Sequence, residues 1–159
     1  SNFIKKSTTG SIFKIDTITF ITNRNEIDAI NRYEDLNSPE QSRLYNNLLW
    51  YTGKFQTKSY TTLDLSYSKN MFIVPHAIYK DGLYIRTWEH GDCMISATSS
   101  KHVSLSNLYI NNKLSKYEKL TQPVVVNKNN RIFWVPGLLH GNINYNDNDK
   151  VKVINWIQK

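Results

Sequence analysis

Cysteine is almost missing from this chain: Cys93 is the single one in 159 residues. An intrachain disulfide is therefore excluded, and a reducing compartment suits the protein. The six glycines are scattered, so no glycine-rich loop is present to cradle a phosphate. No apolar run is long enough to span a bilayer. The start, Ser1-Asn2-Phe3-Ile4-Lys5-Lys6, has no secretory hydrophobic region. These absences point to a cytoplasmic protein without a membrane partner. The missing initiator Met leads us to expect a segment of a longer protein. No internal repeat is visible, and no paired-carboxylate motif stands out.

Aromatic residues and positive charge are abundant. The aromatic share is 13%, largely from 10 Tyr and 4 Trp, and 40% of residues are hydrophobic, enough for a real core at this length. The formal charge is +7. Residues 1–82 hold 10 Lys and Arg against 8 Asp and Glu, a net of +2; residues 83–159 hold 10 against 5, a net of +5. A basic half suggests an anionic partner, nucleic acid first. A surplus of charge kept for solubility is the bland alternative.

Periodicity and turn chemistry give a coarse map. Ile12 to Ile21 reads as a β-hairpin turning at Asp16-Thr17. Asn25-Glu26-Ile27-Asp28 has the cap and early acids of a short helix. Ser38-Pro39-Glu40-Gln41 is a second helix start, with Leu44, Leu48 and Tyr51 at helical spacing and Gly53 as the stop. From Ser59 the pattern becomes strand, through Tyr60 and Leu63 to Met71-Phe72-Ile73-Val74, with Pro75 at an edge or end. Asp81-Gly82 signals a tight turn between Ile78-Tyr79 and Leu83-Tyr84-Ile85. Ser104 or Ser106 starts a short helix bearing Leu105, Leu108 and Tyr109. Ser115-Lys116-Tyr117-Glu118 is a capping box for another, ended by Pro123. Asn127-Lys128-Asn129-Asn130 turns between two strands, Val124 to Val126 and Arg131 to Val135. Residues 142–149 form a polar loop before a closing strand from Val151 to Trp156. The fold class read from this is α+β: a mostly antiparallel sheet or barrel-like sandwich with short helices, preceded by a small mixed α/β segment. We divide the chain into residues 1–80, a linker or recognition segment, and residues 81–159, a C-terminal domain.

Lys101, Lys113, Lys116, Lys119, Lys128 and Arg131 fall in one stretch whose only acid is Glu118. Lys113, Lys116 and Lys119 are spaced at three, so one helical turn can present them together. That pattern suits phosphates; a solvated helix face has the same composition. Arg86 lies on an apolar strand, where it can reach a phosphate bidentately or pair with Asp92 or Glu89 to hold a turn. Gly91 supplies the turn's conformation and Asp92 bonds its amides. Phe133 and Trp134 are adjacent on a strand and should face opposite ways, one into the core and the other toward a base or a second packed layer. Trp88 and Trp156 read as core or edge packing. His90-Gly91-Asp92-Cys93 lacks the spacing of paired metal ligands, and nothing places a base beside Cys93. We expect no metal site and no catalytic residue.

The order of these elements resembles the C-terminal domain of tRNA isoleucine-lysidine synthetase, a PP-loop ATPase family. Arg86 and Gly91-Asp92 match its opening strand and turn, with Cys93 where a basic residue is usual. Leu105 to Leu114 follows its short helix, Ser115 replaces a proline, and Lys116 and Lys119 occupy two basic positions. Pro123 and the valines match, as do Trp134-Val135-Pro136-Gly137-Leu138, which set Pro136 and Gly137 as a structural turn. Leu139 stands where a basic residue often follows. The resemblance covers about the last half of the chain; residues 10–22 and 60–80 resemble the region before this domain in one branch of the family.

The resemblance implies a tRNA-recognition part of an ATP-dependent ligase that forms lysidine at an anticodon cytidine. It implies tRNA as partner, an attached N-terminal catalytic domain that uses ATP and Mg, and no cofactor in this chain, which lacks the Ser-Gly-Gly-x-Asp-Ser loop. It leaves room for a homodimer. Lys101, Lys113, Lys116, Lys119, Lys128, Arg131 and Arg86 are then the expected RNA contacts. The alternative is a non-enzymatic β-rich module that binds carbohydrate or protein through its aromatics.

Overall fold

The computed structural model describes residues 12–15, 18–22, 27–31, 42–60, 68–144, 146 and 149–159. Strands β1 (Ile12–Ile15), β2 (Ile18–Thr22) and β3 (Ile27–Asn31) form an antiparallel meander. The expected hairpin is present, with Ile15 opposite Ile18. Asn25 and Glu26, where a helix is expected to start, lie outside the described residues; the part that is described, Ile27–Asn31, is a strand paired with β2, Thr22 opposite Ile27. Five residues give a cap too little helix to stabilise, and an adjacent Ile-Thr-Phe-Ile-Thr edge offers hydrogen bonds at once.

The second expected helix is also corrected. Ser38 to Gln41 lie outside the described residues. Beyond them run β4 (Ser42–Arg43), β5 (Asn47–Trp50) and β6 (Gly53–Tyr60). Asn46 adopts φ 56°, which breaks any helical path between Leu44 and Leu48. Leu48 and Trp50, two apart, pack on the same core. Gly53 opens a strand rather than closing a helix; a Cβ there would meet the Trp156 ring at 2.7 Å.

Next come β7 (Met71–Pro75), helix α1 (His76–Asp81) and β8 (Leu83–Arg86). Ile78-Tyr79 thus belongs to a helix, not to a strand before a tight turn. Gly82, at φ 120°, closes it, and its N–H donates to the Ile78 carbonyl. Strands β9 (Cys93–Ile95) and β10 (His102–Ser104) lead into α2 (Leu105–Asn111) and α3 (Lys116–Thr121). Strands β11 (Val124–Asn127), β12 (Ile132–Val135), β13 (Leu139–His140) and β14 (Val151–Gln158) complete the described chain.

Two larger antiparallel sheets carry the architecture, in the orders β13-β12-β11-β8-β4 and β5-β6-β14-β7. Strands from both sides of residue 80 share each sheet, since β4 pairs with β8 and β6 with β14. Val125, Ile85, Leu83 and Trp134 face one core, shared with Phe55, Phe72, Ile154 and Trp156 of the other sheet. Val124, Val126, Ile132 and Val135 face a second core, covered by Leu105, Leu108 and Tyr109 of α2 and by Met94 of β9. The five-stranded sheet is thus buried on both faces, which is why Val124-Val125-Val126 is unbroken by polar residues. This is the expected α+β, sheet-rich class.

Strict alternation fails at one point. The register shifts between Val125 and Val126, so that Val125 opposes Trp134 and Val126 opposes Ile132. The extra residue is Phe133, and the bulge turns Phe133 and Trp134 into the same core instead of to opposite faces. Trp134 is fully buried, stacks on Phe72 with centroids 5.4 Å apart, and donates its indole N–H to the Lys69 carbonyl at 3.0 Å. Trp134→Ala should cost about 3–5 kcal/mol, read as a lower urea midpoint at unchanged slope.

His140, in the same core, lies 2.7 Å from the Met71 carbonyl and stacks on Trp134. Burial holds its pKa below the ordinary 6.5 despite that bond. The folded state therefore resists protonation, and this contribution to stability is complete above pH 6.5 and lost as pH falls below it. Thermal unfolding should show Tm falling from pH 7 toward pH 5, and His140→Gln should flatten that fall.

Candidate nucleic-acid interface

Arg86 sits at the centre of the C-terminal half, 2% exposed. Its two terminal nitrogens donate to the Asp92 carboxylate at 2.8 and 2.9 Å. Nη1 also donates to the Thr87 carbonyl and Nε to Asn130 Oδ1, both at 2.9 Å. Of the two readings open in the sequence, the turn-holding pair is the one formed. A guanidinium so engaged has little left for a phosphate.

Asp92 passes the constraint on. Its carboxylate accepts the Glu89 N–H at 2.7 Å, and its carbonyl accepts the N–H of Leu105, the first residue of α2, at 2.9 Å. Gly91, at φ 89°, lets the chain turn there; no heavy atom lies within 4 Å of a Cβ built on it, so backbone conformation alone demands glycine. Asn130, at φ 65°, closes the β11–β12 turn. One buried arginine thereby fixes both turns that flank the basic stretch. The Pro136-Gly137 turn is held apart from it. The Gly137 N–H donates to the Lys69 carbonyl at 2.9 Å, and Gln122 donates to the Pro136 carbonyl at 2.9 Å.

The Leu105–Asn111 helix begins on Ser104, whose Oγ accepts the Asn107 N–H at 3.2 Å. It ends in a left-handed closure. Lys113 takes φ 56°, its N–H bonds Ile110 O, and the Leu114 N–H bonds Tyr109 O, both at 3.0 Å. Ser115 then caps the Lys116–Thr121 helix. The Ser115 N–H reaches Glu118 Oε2 at 2.7 Å, and the Glu118 N–H reaches Ser115 Oγ at 3.2 Å. Lys113 therefore lies at a corner between helices, not on one turn with Lys116 and Lys119. Only the latter two share a helical face.

Lys101, Lys113 and Lys116 are exposed and Lys119 half-buried; among the described residues none has a carboxylate partner. The other two cations are engaged. Lys128 pairs with Asp81 at 2.8 Å, an exposed contact that raises the lysine's pKa. Arg131 donates to the Asn142 carbonyl at 2.9 Å and lies over the Phe133 ring at 5.2 Å. Beside the Arg86–Asp92 pair, the Tyr109 hydroxyl is buried without a hydrogen-bond partner. Burial, then the Asp92 charge, pushes its pKa well above the tyrosine range, with Arg86 opposing.

Among the described residues no three His, Cys, Asp or Glu side chains could hold a metal. Cys93 is exposed and free, its sulfur 3.5 Å from the Gly91 carbonyl. Among those residues no helix is long and apolar enough to cross a membrane.

The fold is shared with a solved structure. The crystal structure of the TILS C-terminal domain superposes with a TM-score of 0.66 at 19% identity, over 75% of this chain and 98% of that one. At that identity the likeness is one of fold. No protein-family model matches the chain, and no curated protein does.

The central ion pair has a direct test. Asp92→Asn strands a buried guanidinium and should destabilise the protein by about 3–5 kcal/mol. Arg86→Lys should lose a comparable amount, because one ammonium cannot span both carboxylate oxygens and Asn130. Urea unfolding of both variants reads the loss.

Proposed function

We propose that this chain is a tRNA-binding module of a lysidine-synthetase type of enzyme. In this reading it works beside its own N-terminal PP-loop domain, where ATP, Mg and the ligase chemistry reside. The carrying observation is the set of lysines, Lys101, Lys113, Lys116 and Lys119, that have no carboxylate partner among the described residues and stand around two capped helices. The shared fold with the TILS C-terminal domain supports it. So does the absence from this chain of any phosphate-cradling glycine cluster.

The cations differ in role under this proposal. Lys113, Lys116 and Lys119 meet phosphates, with Lys101 as a flanking contact. Lys128 and Arg131 contribute once their existing contacts exchange for RNA. Arg86 acts as the frame.

Tryptophan geometry gives little support to the alternative of a carbohydrate- or protein-binding module, whose exposed aromatic would be Tyr45, 66% exposed. Trp134 and Trp156 are buried, Trp50 donates its indole N–H to the Thr121 carbonyl at 2.8 Å, and Trp88 meets Tyr109 edge-on. Trp50 and Trp88 are half-buried, so no Trp is fully open.

Fluorescence anisotropy with a transcribed tRNA tests the proposal. Affinity should fall as salt rises, and the slope should shrink by up to about 0.9 for each phosphate contact removed. Charge reversal at Lys113, Lys116 and Lys119 together should weaken binding across tRNA sequences. Unchanged affinity in that variant would remove these lysines from the interface.

A further inference from the structure

The four-stranded sheet has one face packed on the core; its other face is buried at Val151 and Val153 and open toward β5 and the far end of β14. Phe55, Ile154 and Trp156 point inward. Their neighbours along β5, β6 and β14 point outward, and the register aligns them in rows. Leu49, Lys54 and Ile157 form one row, and Asn47, Gln56 and Asn155 the next. Lys58 follows on β6, opposite Val153. Leu49 is 79% exposed and Ile157 41%, although both are large aliphatics. Lys54, Lys58 and Asn47 are exposed, and neither lysine has a carboxylate partner among the described residues. No acidic residue stands at an outward position of β5, β6, β7 or β14. A shallow cleft of about 180 Å³ opens here, lined in part by Asn47, Leu49, Lys54 and Gln56.

We infer that this face is a second RNA surface, one that takes an unpaired stretch of nucleotides. The inference rests on the RNA-binding reading above but concerns different residues. Two cations on one strand, with no acid beside them, complement a polyanion. Lys54 and Lys58 are four residues apart, roughly 13 Å along a strand, so an extended backbone meets both. Between them lie three carboxamides, the groups that bond the edges of bases. Leu49 and Ile157 offer apolar contact to the faces of bases, which only unpaired nucleotides expose. The cleft is below the roughly 300 Å³ of small-molecule sites, which suits one group of a longer ligand. An acidic peptide is the rival polyanion. It would add along the edge strand β5, and β5 carries no charge; the lysines stand one strand further in.

This surface and the Leu105–Asn111 helix lie on opposite sides of the stack. Both cores and the five-stranded sheet separate them. A tRNA bound at the Leu105–Asn111 helix would reach the sheet only with another of its segments.

The test uses a labelled unstructured RNA of about 12 nucleotides, a transcribed tRNA and poly-glutamate, with the chain as it stands. Lys54→Gln with Lys58→Gln should weaken the short RNA about tenfold at low salt and reduce its salt slope by about 1.4. Replacing Asn47, Gln56 and Asn155 by alanine should weaken it without changing that slope. Lys116→Gln with Lys119→Gln should leave the short RNA within about twofold while weakening tRNA, since those lysines stand on a helix and not in the rows of the sheet. Full-strength short-RNA binding by the Lys54/Lys58 variant, at wild-type far-UV dichroism, overturns the inference. So does equal competition by poly-glutamate. If only the Lys116/Lys119 variant loses tRNA, the first interface stands and this one falls. If the sheet variants lose the short RNA and the Lys116/Lys119 variant keeps full tRNA affinity, this surface stands and the helical one falls.

Discussion

A buried arginine paired with one aspartate organises the C-terminal half. Arg86 cannot leave its position without exposing Asp92 to an apolar surround, and Asp92 cannot leave without stranding a guanidinium. Such a pair contributes little net stability compared with well-packed apolar side chains, because desolvation offsets most of the Coulomb gain. Its effect is geometric. Through Asp92 it fixes the turn at residues 89–92 and the first amide of α2; through Asn130 it fixes the β11–β12 turn. The loops that carry the basic residues are thereby attached to a strand that is buried on both faces. The Tyr109 hydroxyl beside the pair remains without a partner, a local cost of placing an aromatic ring against that ion pair and against Trp88.

The five-stranded sheet explains why the chain needs so many aromatics. A sheet covered on both sides must fill two cores with few residues. The bulge at Phe133 puts two large rings into the core between the sheets, where Trp134, Phe72 and His140 stack. The smaller Val124, Val126 and Val135 remain for the thinner layer under α2. An unshifted register would have sent Phe133 into that layer and left the inter-sheet core short of a ring. Packing volume thus accounts for a backbone irregularity that periodicity of two does not anticipate.

What could be read from the residues alone follows the same physics. Val124-Val125-Val126, the closing strand and the Ser104 and Ser115 caps were legible because each signal is local and nothing distant opposes it. Asn25 and Leu44 to Tyr51 misled because their signals are equally local but weak. A cap or an i, i+4 spacing is worth about 1 kcal/mol or less, and a neighbouring strand edge outweighs it. Lys113 was misplaced for a related reason. Spacing at three implies one helix, whereas Asn112-Lys113 followed by a capping serine marks an end and a new start. The outer face of the four-stranded sheet was not legible at all. Its rows join β5, β6 and β14, and β14 lies about a hundred residues further along the chain. Only long-range register brings Leu49 and Ile157 to either side of Lys54.

The fate of Glu118 shows how electrostatics and folding share one residue. It is the single acid between Lys101 and Arg131. On an open helix face it would draw charge from the lysines beside it. Instead its carboxylate reaches back to the Ser115 amide, at the third position of its helix, where it also complements the positive end of the dipole. The sequence neighbour Lys119 projects in a different direction from that bond, because adjacent residues on a helix do not face each other. The carboxylate is therefore spent on starting the helix, and the ammonium groups around it keep their field. A lysine-rich segment needs some acid to fold and none at its surface; placing that acid in a cap satisfies both demands.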